Sequence, residues 1–399
     1  MVEIDFERLK KLSDKLIDNI SLTYKREYYH SIHFEARLVL LKGFRGVGKT
    51  TLLMQYAKEN YPIDKTIFLT LDHIHFSDNK LLYTVDDLYD KGMRYFILDE
   101  VHKYENWSQE LKNIYDSYPD IRVMATSSSA LEINKGKYDL SRRADIYELK
   151  GLSFREYLKY NYDIDIPIHE LEDIIKNKNE IHDAYFDKYD LKRKFNKYLK
   201  EGYYPYFKDA GKKYYDRMLS TINLVIETDL PAIFNIDYDS TRLIKKLLSV
   251  ISRIAPFTPN ISNLARDTKI NRTSILNFLD FLESADLITL LKSGRKSDSV
   301  LTKPDKILLE NTNLLHMLSA DVNVGTQRET FAVNALKNKH KITTPKSGDL
   351  IIDMMYTAEI GGPNKSFKQL KDVANPLLII DTYGYTGERT IPLWMLGLL

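Results

Sequence analysis

Cysteine is absent from the 399 residues. That excludes disulfide bridges and thiolate metal sites, and it suits the cytoplasm, where thiols stay reduced. Long apolar runs are missing too. None approaches the about twenty residues that a membrane-crossing helix needs, so no membrane partner is expected. Charge of one sign is also scarce: the net charge is +2, too small to imply a nucleic-acid partner for the chain as a whole, and any basic surface must be local. The first residues are charged (Glu3, Asp5, Glu7, Arg8, Lys10, Lys11), which argues against a signal peptide. What the chain does have is 43% hydrophobic residues, ample for folded cores. Its length suits two or three domains, because single cores stop growing near roughly 250–300 residues. The 28 tyrosines, with abundant Lys, Ile and Asn, read as codon bias rather than as a binding strategy.

Residues Gly43, Phe44, Arg45, Gly46, Val47, Gly48, Lys49 and Thr50 spell G-x-x-x-x-G-K-T. An apolar run, Leu38 to Leu41, precedes them, and a helix-like stretch opens at Thr51. Strand, glycine loop and helix are the context a phosphate loop requires. The glycines let successive N–H groups turn inward toward phosphate oxygens, and the helix adds its positive end. Lys49 is expected on the β- and γ-phosphates, and the Thr50 hydroxyl on Mg²⁺. The bland alternative is a glycine turn that holds no nucleotide.

A second signal agrees. Tyr95 to Leu98 is an apolar run ending in Asp99-Glu100, as expected of a buried parallel strand whose carboxyl end carries chemistry. Asp99 is expected to hold Mg²⁺ through water, and Glu100 to polarise the attacking water. Further strands are expected at 37–42, 66–71, 121–126 and 146–149, with helices at 50–59, 81–91 and 107–117 between them. Strands alternating with helices predict a parallel sheet flanked on both faces. A leader helix within 3–33 is expected to pack on this domain.

Residues 153–240 read as helical and carry no chemical motif. A lid or connector is expected there, with its last helix broken at Asp229-Leu230-Pro231. Residues 241–303 have the pattern of a winged helix-turn-helix: helices at 243–254, 261–268 and 273–285, then strands 287–291 and 299–302 joined by the basic loop Lys292 to Lys296. Arg266, Lys269, Arg272, Lys292, Arg295 and Lys296 could lie on DNA phosphates. Such modules also mediate protein contacts, and the third helix offers few base-reading side chains, Asn277 among them. Residues 326–399 read as a small α/β unit, with helices at 328–337 and 367–373, paired strands at 349–355 and 357–360, and a strand at 376–381. His73 and His75 could face one side, but nothing near them completes a metal motif.

Together these pieces resemble the prokaryotic (archaeal-type) AAA-family ATPases with a nuclease-like C-terminal domain. The marks are the phosphate loop, Leu98-Asp99-Glu100-Val101-His102 followed by Trp107, and Thr126 to Ser129. Further marks are Leu152 to Tyr157, Glu359 to Lys365, and Ile391 to Trp394. The resemblance implies an α/β fold: a parallel-sheet P-loop domain (1–152), a helical lid (153–240), a winged helix-turn-helix (241–310) and a degenerate nuclease-like α/β domain (311–399). It implies ATP and Mg²⁺ as ligands, and leaves a homo-oligomer or a protein partner open. Thr126-Ser127 takes the sensor position, although the family has glycine where Ser127 stands. Arg143 resembles an arginine finger, acting in cis or from a neighbouring subunit, with a solvated loop arginine as the alternative. Glu329, Asp349 and Glu359 correspond to a restriction-endonuclease-like carboxylate set. The expected Glu-x-Lys lysine is replaced by Gly361, and Lys365 or Lys368 could substitute. An ATP-hydrolysing enzyme is the expected function. A slow nucleotide-gated switch and an ATP-gated Mg²⁺ nuclease are the alternatives.

Overall fold

The computed structural model describes residues 6–128, 130, 140, 142–293 and 303–399. Contacts divide the chain into two units: 1–150 with 227–236, and 151–226 with 237–399.

In the first unit, strands β1 (Leu38–Lys42), β2 (Thr66–Thr70), β3 (Tyr95–Asp99), β4 (Arg122–Ser127) and β5 (Asp145–Glu148) form one sheet in the order β2-β3-β4-β1-β5. Every pairing is parallel, as the alternating pattern predicts. Parallel strands covered on both faces need apolar residues at consecutive positions, and Leu38, Val39, Leu40 and Leu41 are all buried. Side chains alternate across the sheet. Leu38 and Leu40 join Ile67, Leu69, Phe96, Leu98, Val123 and Ala125 in one core layer, closed by Leu81, Val85 and Leu88 of the helix Leu81–Asp90 and by Leu111 and Ile114 of the helix Trp107–Ser117. On the other face the helix Lys49–Asn60 packs against β3, β4 and the leader helix Phe6–Asp18. The carboxyl ends of β3, β4 and β1 therefore lie side by side, where parallel sheets place their chemistry.

The segment 227–236 departs from expectation. Pro231 does not end the helix. The helix Tyr214–Leu224 runs into a single π-helical turn, Val225–Asp229, and Pro231 occupies the first turn of a further helix, Leu230–Phe234. A proline in a first turn costs little, because its missing N–H has no intrahelical partner there.

The second unit opens on the helix Phe154–Tyr162. Its N-terminus is a capping box: the Ser153 hydroxyl accepts from the Glu156 N–H, and the Glu156 carboxylate accepts from the Ser153 N–H. Two helices follow, Leu171–Tyr185 and Leu191–Glu201, with Asp190 in a left-handed conformation between them. Many of the tyrosines build this unit's core: Tyr157 and Tyr204 are fully buried, and Phe154, Phe195, Tyr198 and Phe207 stack around Tyr157 or one another.

Three helices follow, Tyr238–Ile254, Ile261–Thr268 and Arg272–Ser284. The last two start on side-chain caps from Asn260 and Asn271. Strand β6 (Ile288–Leu291) then pairs antiparallel with β7 (Lys306–Leu309). The partner strand expected at 299–302 lies outside the described residues, as do Arg295 and Lys296. The C-terminal sheet has the order β12-β11-β10-β9-β8, built from β8 (Ile342–Thr343), β9 (Leu350–Ile352), β10 (Tyr356–Gly361), β11 (Pro376–Ile380) and β12 (Thr390–Pro392). β8, β9 and β10 run antiparallel, whereas β10, β11 and β12 run parallel. The helix Val324–Lys337 packs on β10. The segment expected as a helix at 367–373 is one 3₁₀ turn, Phe367–Leu370.

Leu40 is 1% exposed at the centre of the first sheet. Leu40→Ala is expected to cost roughly 2–5 kcal/mol of stability, read as a lowered urea midpoint at an unchanged slope for that transition.

Candidate functional site

The loop between β1 and the helix Lys49–Asn60 needs glycine at three points. Gly46 and Gly48 have φ of 82° and 101°, which L side chains rarely adopt. Gly43 is constrained by contact as well: a Cβ there would lie 2.3 Å from the Leu149 carbonyl oxygen. The backbone thus curls tightly enough for Lys49 to fold back over it, and its Nζ donates to the Gly43 and Phe44 carbonyls at 2.8 and 3.1 Å. Lys49 is only 5% exposed. Burial pushes its pKa down, while the charges of Glu100 and Asp99 oppose that shift.

The carboxyl ends of β3 and β4 are tied to this loop through one oxygen. Asp99 Oδ1 accepts from the Thr50 hydroxyl at 2.6 Å and from the Thr126 hydroxyl at 2.5 Å. Thr126 Oγ1 in turn accepts from the Glu100 N–H at 3.0 Å. Of the two hydroxyls expected at the sensor position, Thr126 is therefore the one bonded to the acidic pair. The buried Ser127 Oγ has no hydrogen-bond partner among the described residues. Glu100 sits at φ 56°, a conformation that costs a non-glycine residue of order 1 kcal/mol and that clusters at working sites.

A second constellation was not legible as a motif. Asp229, 0% exposed, accepts two hydrogen bonds from Arg45, Nε to Oδ2 at 2.7 Å and Nη2 to Oδ1 at 2.8 Å. The same Nη2 lies 2.7 Å from Glu100 Oε2, yet Oε2 accepts no aligned hydrogen bond. Glu100 is thus held by charge, whereas Asp229 is held by charge and direction. His102 completes the group. Its Nδ1 accepts from the Ser128 N–H at 3.2 Å, so the ring proton belongs on Nε2. That nitrogen faces Asp229 Oδ1 at 3.5 Å, the outer edge of hydrogen-bond reach, and Glu100 Oε2 at 3.7 Å, beyond it. Burial alone would raise the Asp229 pKa, but His102 and Arg45 together outweigh it and hold the carboxyl at about 2. The π turn ending at Asp229 is of a kind that clusters at functional positions, but it shows only in the structure and leaves no mark in the sequence.

Arg143 is paired with Asp116 of the helix Trp107–Ser117, at 2.8 and 3.0 Å. In the C-terminal sheet the three expected carboxylates converge, each with a cationic neighbour. Lys306 pairs with Glu329 and lies 3.7 Å from Asp349. Lys365 pairs with Glu359, and Asp349 Oδ2 accepts from the Ile360 N–H at 2.8 Å. Burial raises the Glu329 pKa, Lys306 opposes it, and the Asp349 and Glu359 charges add to the rise. Gly361 explains how Lys365 reaches Glu359: a Cβ at 361 would meet the Lys365 side chain at 2.8 Å. No group of three His, Cys, Asp or Glu among the described residues is arranged to hold a metal ion. Nor, among them, is any helix long and apolar enough to cross a membrane.

The cradle fits a nucleotide triphosphate with Mg²⁺. Hard oxygen donors, Thr50 Oγ1 and Asp99, stand beside the buried Lys49 ammonium, and the Ser127 hydroxyl is left without a partner among the described residues.

Residues 35–158 match the family model of an AAA domain, and residues 192–326 match that of a domain of unknown function. The chain is similar to the uncharacterized protein MJ1637 of Methanocaldococcus jannaschii, 27% identical over 92% of this chain and 81% of that protein. A second protein of the same organism, the uncharacterized MJ1544, is 24% identical over 73% of this chain and 67% of its own length. Among solved structures, C. elegans PCH-2 aligns with a TM-score of 0.25 at 20% identity, over 39% of this chain and 46% of that one. A structure of katanin self-assembly aligns with a TM-score of 0.29 at 14% identity, over 43% of this chain and 68% of that one. Residues 35–158 are thus similar to an AAA domain, and the glycine loop, Asp99 and Glu100 all fall within that matched span.

Gly43→Ala is expected to force the loop away from Leu149 and to cost about 1–3 kcal/mol. A lower melting temperature together with weakened binding of a fluorescent nucleotide would report it. Unchanged binding would show that the loop does not need its close approach to Leu149.

Proposed function

We propose that this chain is an ATP-hydrolysing AAA-type ATPase. The observation that carries the reading is the junction of loop and strand ends: Thr50, Asp99 and Thr126 joined through one oxygen, with Glu100 positioned by Thr126. Lys49 and the N–H groups of Gly46 to Thr51 would bind the phosphates. Thr50 and Asp99 would hold Mg²⁺, which supplies positive charge against the phosphate oxygens. Glu100, with a carboxylate oxygen free of aligned hydrogen bonds, would orient the attacking water and accept its proton. Ser127 would feel the bound phosphates. Arg143 would leave Asp116 to neutralise transition-state charge, in cis or from a neighbouring copy. ATP over other triphosphates is read by analogy with the AAA domain that residues 35–158 match.

The domain scheme of 1–152, 153–240, 241–310 and 311–399 is proposed on the same footing, with the three helices and β6–β7 as a winged helix. Arg266, Lys269 and Arg272 belong to or border its last two helices and supply charge for DNA phosphates. The C-terminal sheet is read as a repurposed nuclease-like domain. Its support is the lysine beside each carboxylate, since an ammonium group already neutralises the charge that would draw a cation. A slow nucleotide-gated switch uses the same cradle, and the Arg45 contact on Glu100 is the observation in its favour.

Lys49→Ala is expected to abolish triphosphate binding. Glu100→Gln should keep binding but lower turnover by about a hundredfold or more. Steady-state phosphate release, with and without DNA, checks both. Normal hydrolysis by Glu100→Gln would remove the assigned base, and negligible wild-type turnover with tight binding would favour the switch. Plasmid cleavage that disappears in Asp349→Ala, with phosphate release intact, would instead restore an active nuclease.

A further inference from the structure

Arg45 is placed between two carboxylates that hold it differently. Among the described residues both of its hydrogen bonds go to Asp229, through Nε and Nη2. Its contact with Glu100 is a close ion pair without hydrogen-bond alignment. Bidentate guanidinium–carboxylate pairs are strong and directional. The Asp229 pair is also enclosed, with Asp229 itself fully buried and the Arg45 side chain 18% exposed. Asp229 is thus a fixed anchor, and the Glu100 contact is the exchangeable one. Arg45 is also part of the loop that cradles phosphate, three residues before Gly48.

We propose that Arg45 is the residue that distinguishes a triphosphate from a diphosphate, exchanging its contact with the Glu100 carboxylate for the terminal phosphate while Asp229 keeps it in place. This rests on the ATPase reading of the same cradle. Without a terminal phosphate, Arg45 holds the Glu100 carboxylate by charge at 2.7 Å, turned to the guanidinium rather than to a water. A terminal phosphate offers the guanidinium more negative charge than a carboxylate, together with oxygens that can align with its N–H groups. Glu100 is released at that moment, so the base becomes available only with a hydrolysable nucleotide in the site. Asp229 never touches the nucleotide in this scheme. It is a positioning residue, and the His102 ring behind it packs the fully buried side of the same group.

The experiment is a pair of calorimetric titrations, with ADP and with a non-hydrolysable ATP analogue, on the full chain and its variants. Arg45→Ala is expected to weaken the triphosphate analogue by about ten- to a hundredfold, as loss of a charge-assisted hydrogen bond should, while ADP stays within about threefold. Glu100→Gln, which removes the competing carboxylate, is expected to shift the preference toward the triphosphate severalfold. Asp229→Asn should lower the preference without reaching the Arg45→Ala value. Arg45→Ala leaves a buried carboxylate unpaired and could unfold the unit. The double variant Arg45→Met with Asp229→Leu removes both charges and is expected to show the same lost preference. An unchanged triphosphate-to-diphosphate ratio in folded Arg45→Ala or in the double variant would overturn the proposal. Equal loss of both nucleotides would overturn it too, because that reports a collapsed loop. If the wild type binds neither nucleotide, the ATPase reading itself fails, which separates the two.

Discussion

Two cationic side chains, Lys49 and Arg45, share one water-poor cleft with the carboxylates of Asp99, Glu100 and Asp229. Buried charges are tolerated only when paired and hydrogen-bonded, and the rest of the first unit can be understood as the means of pairing them. The apolar strands bring the ends of β1, β3 and β4 together. The glycines let the loop turn back on itself. The segment 227–236 brings in the one carboxylate that the sheet does not supply. A removed partner would leave its counterpart charged and dry, so the arrangement is stiff where Asp229 holds Arg45. It is yielding where Glu100 meets Arg45 without alignment.

Much of this was visible in the amino-acid order because its signals are local. The G-x-x-x-x-G-K-T pattern declares itself within eight residues, and an apolar strand ending in Asp-Glu within six. The alternation of such strands with amphipathic helices was enough for a parallel sheet. What stayed hidden depends on distant residues meeting. Asp229 reaches Arg45 across 184 positions, and nothing in Asp229-Leu230-Pro231 marks it except a proline that local rules read as a break. Tertiary placement let the same proline open a helix instead. The Ser153 motif, a family mark in the sequence, has a plain local cause in its capping box.

The second unit shows how a missing residue can be replaced in space. The lysine expected two positions after Glu359 is a glycine, and that glycine leaves the room through which Lys365 reaches the same carboxylate. Lys306, from the strand β7, plays the equivalent part for Glu329. Spacing rules missed Lys306 altogether, because it lies 23 residues before its partner, on an antiparallel strand rather than on the C-terminal sheet. The sheet keeps its carboxylates, with cations supplied by the chain itself.

The central claim is that the cleft bounded by the loop at 43–50 is built for a polyanion. Crystals of the full chain grown with magnesium and a non-hydrolysable ATP analogue test it most directly. The account expects density for the phosphates within the loop, with Lys49 turned away from the Gly43 and Phe44 carbonyls and onto them. A well-ordered structure at saturating nucleotide in which Lys49 keeps those carbonyl bonds and the loop holds no phosphate would contradict it.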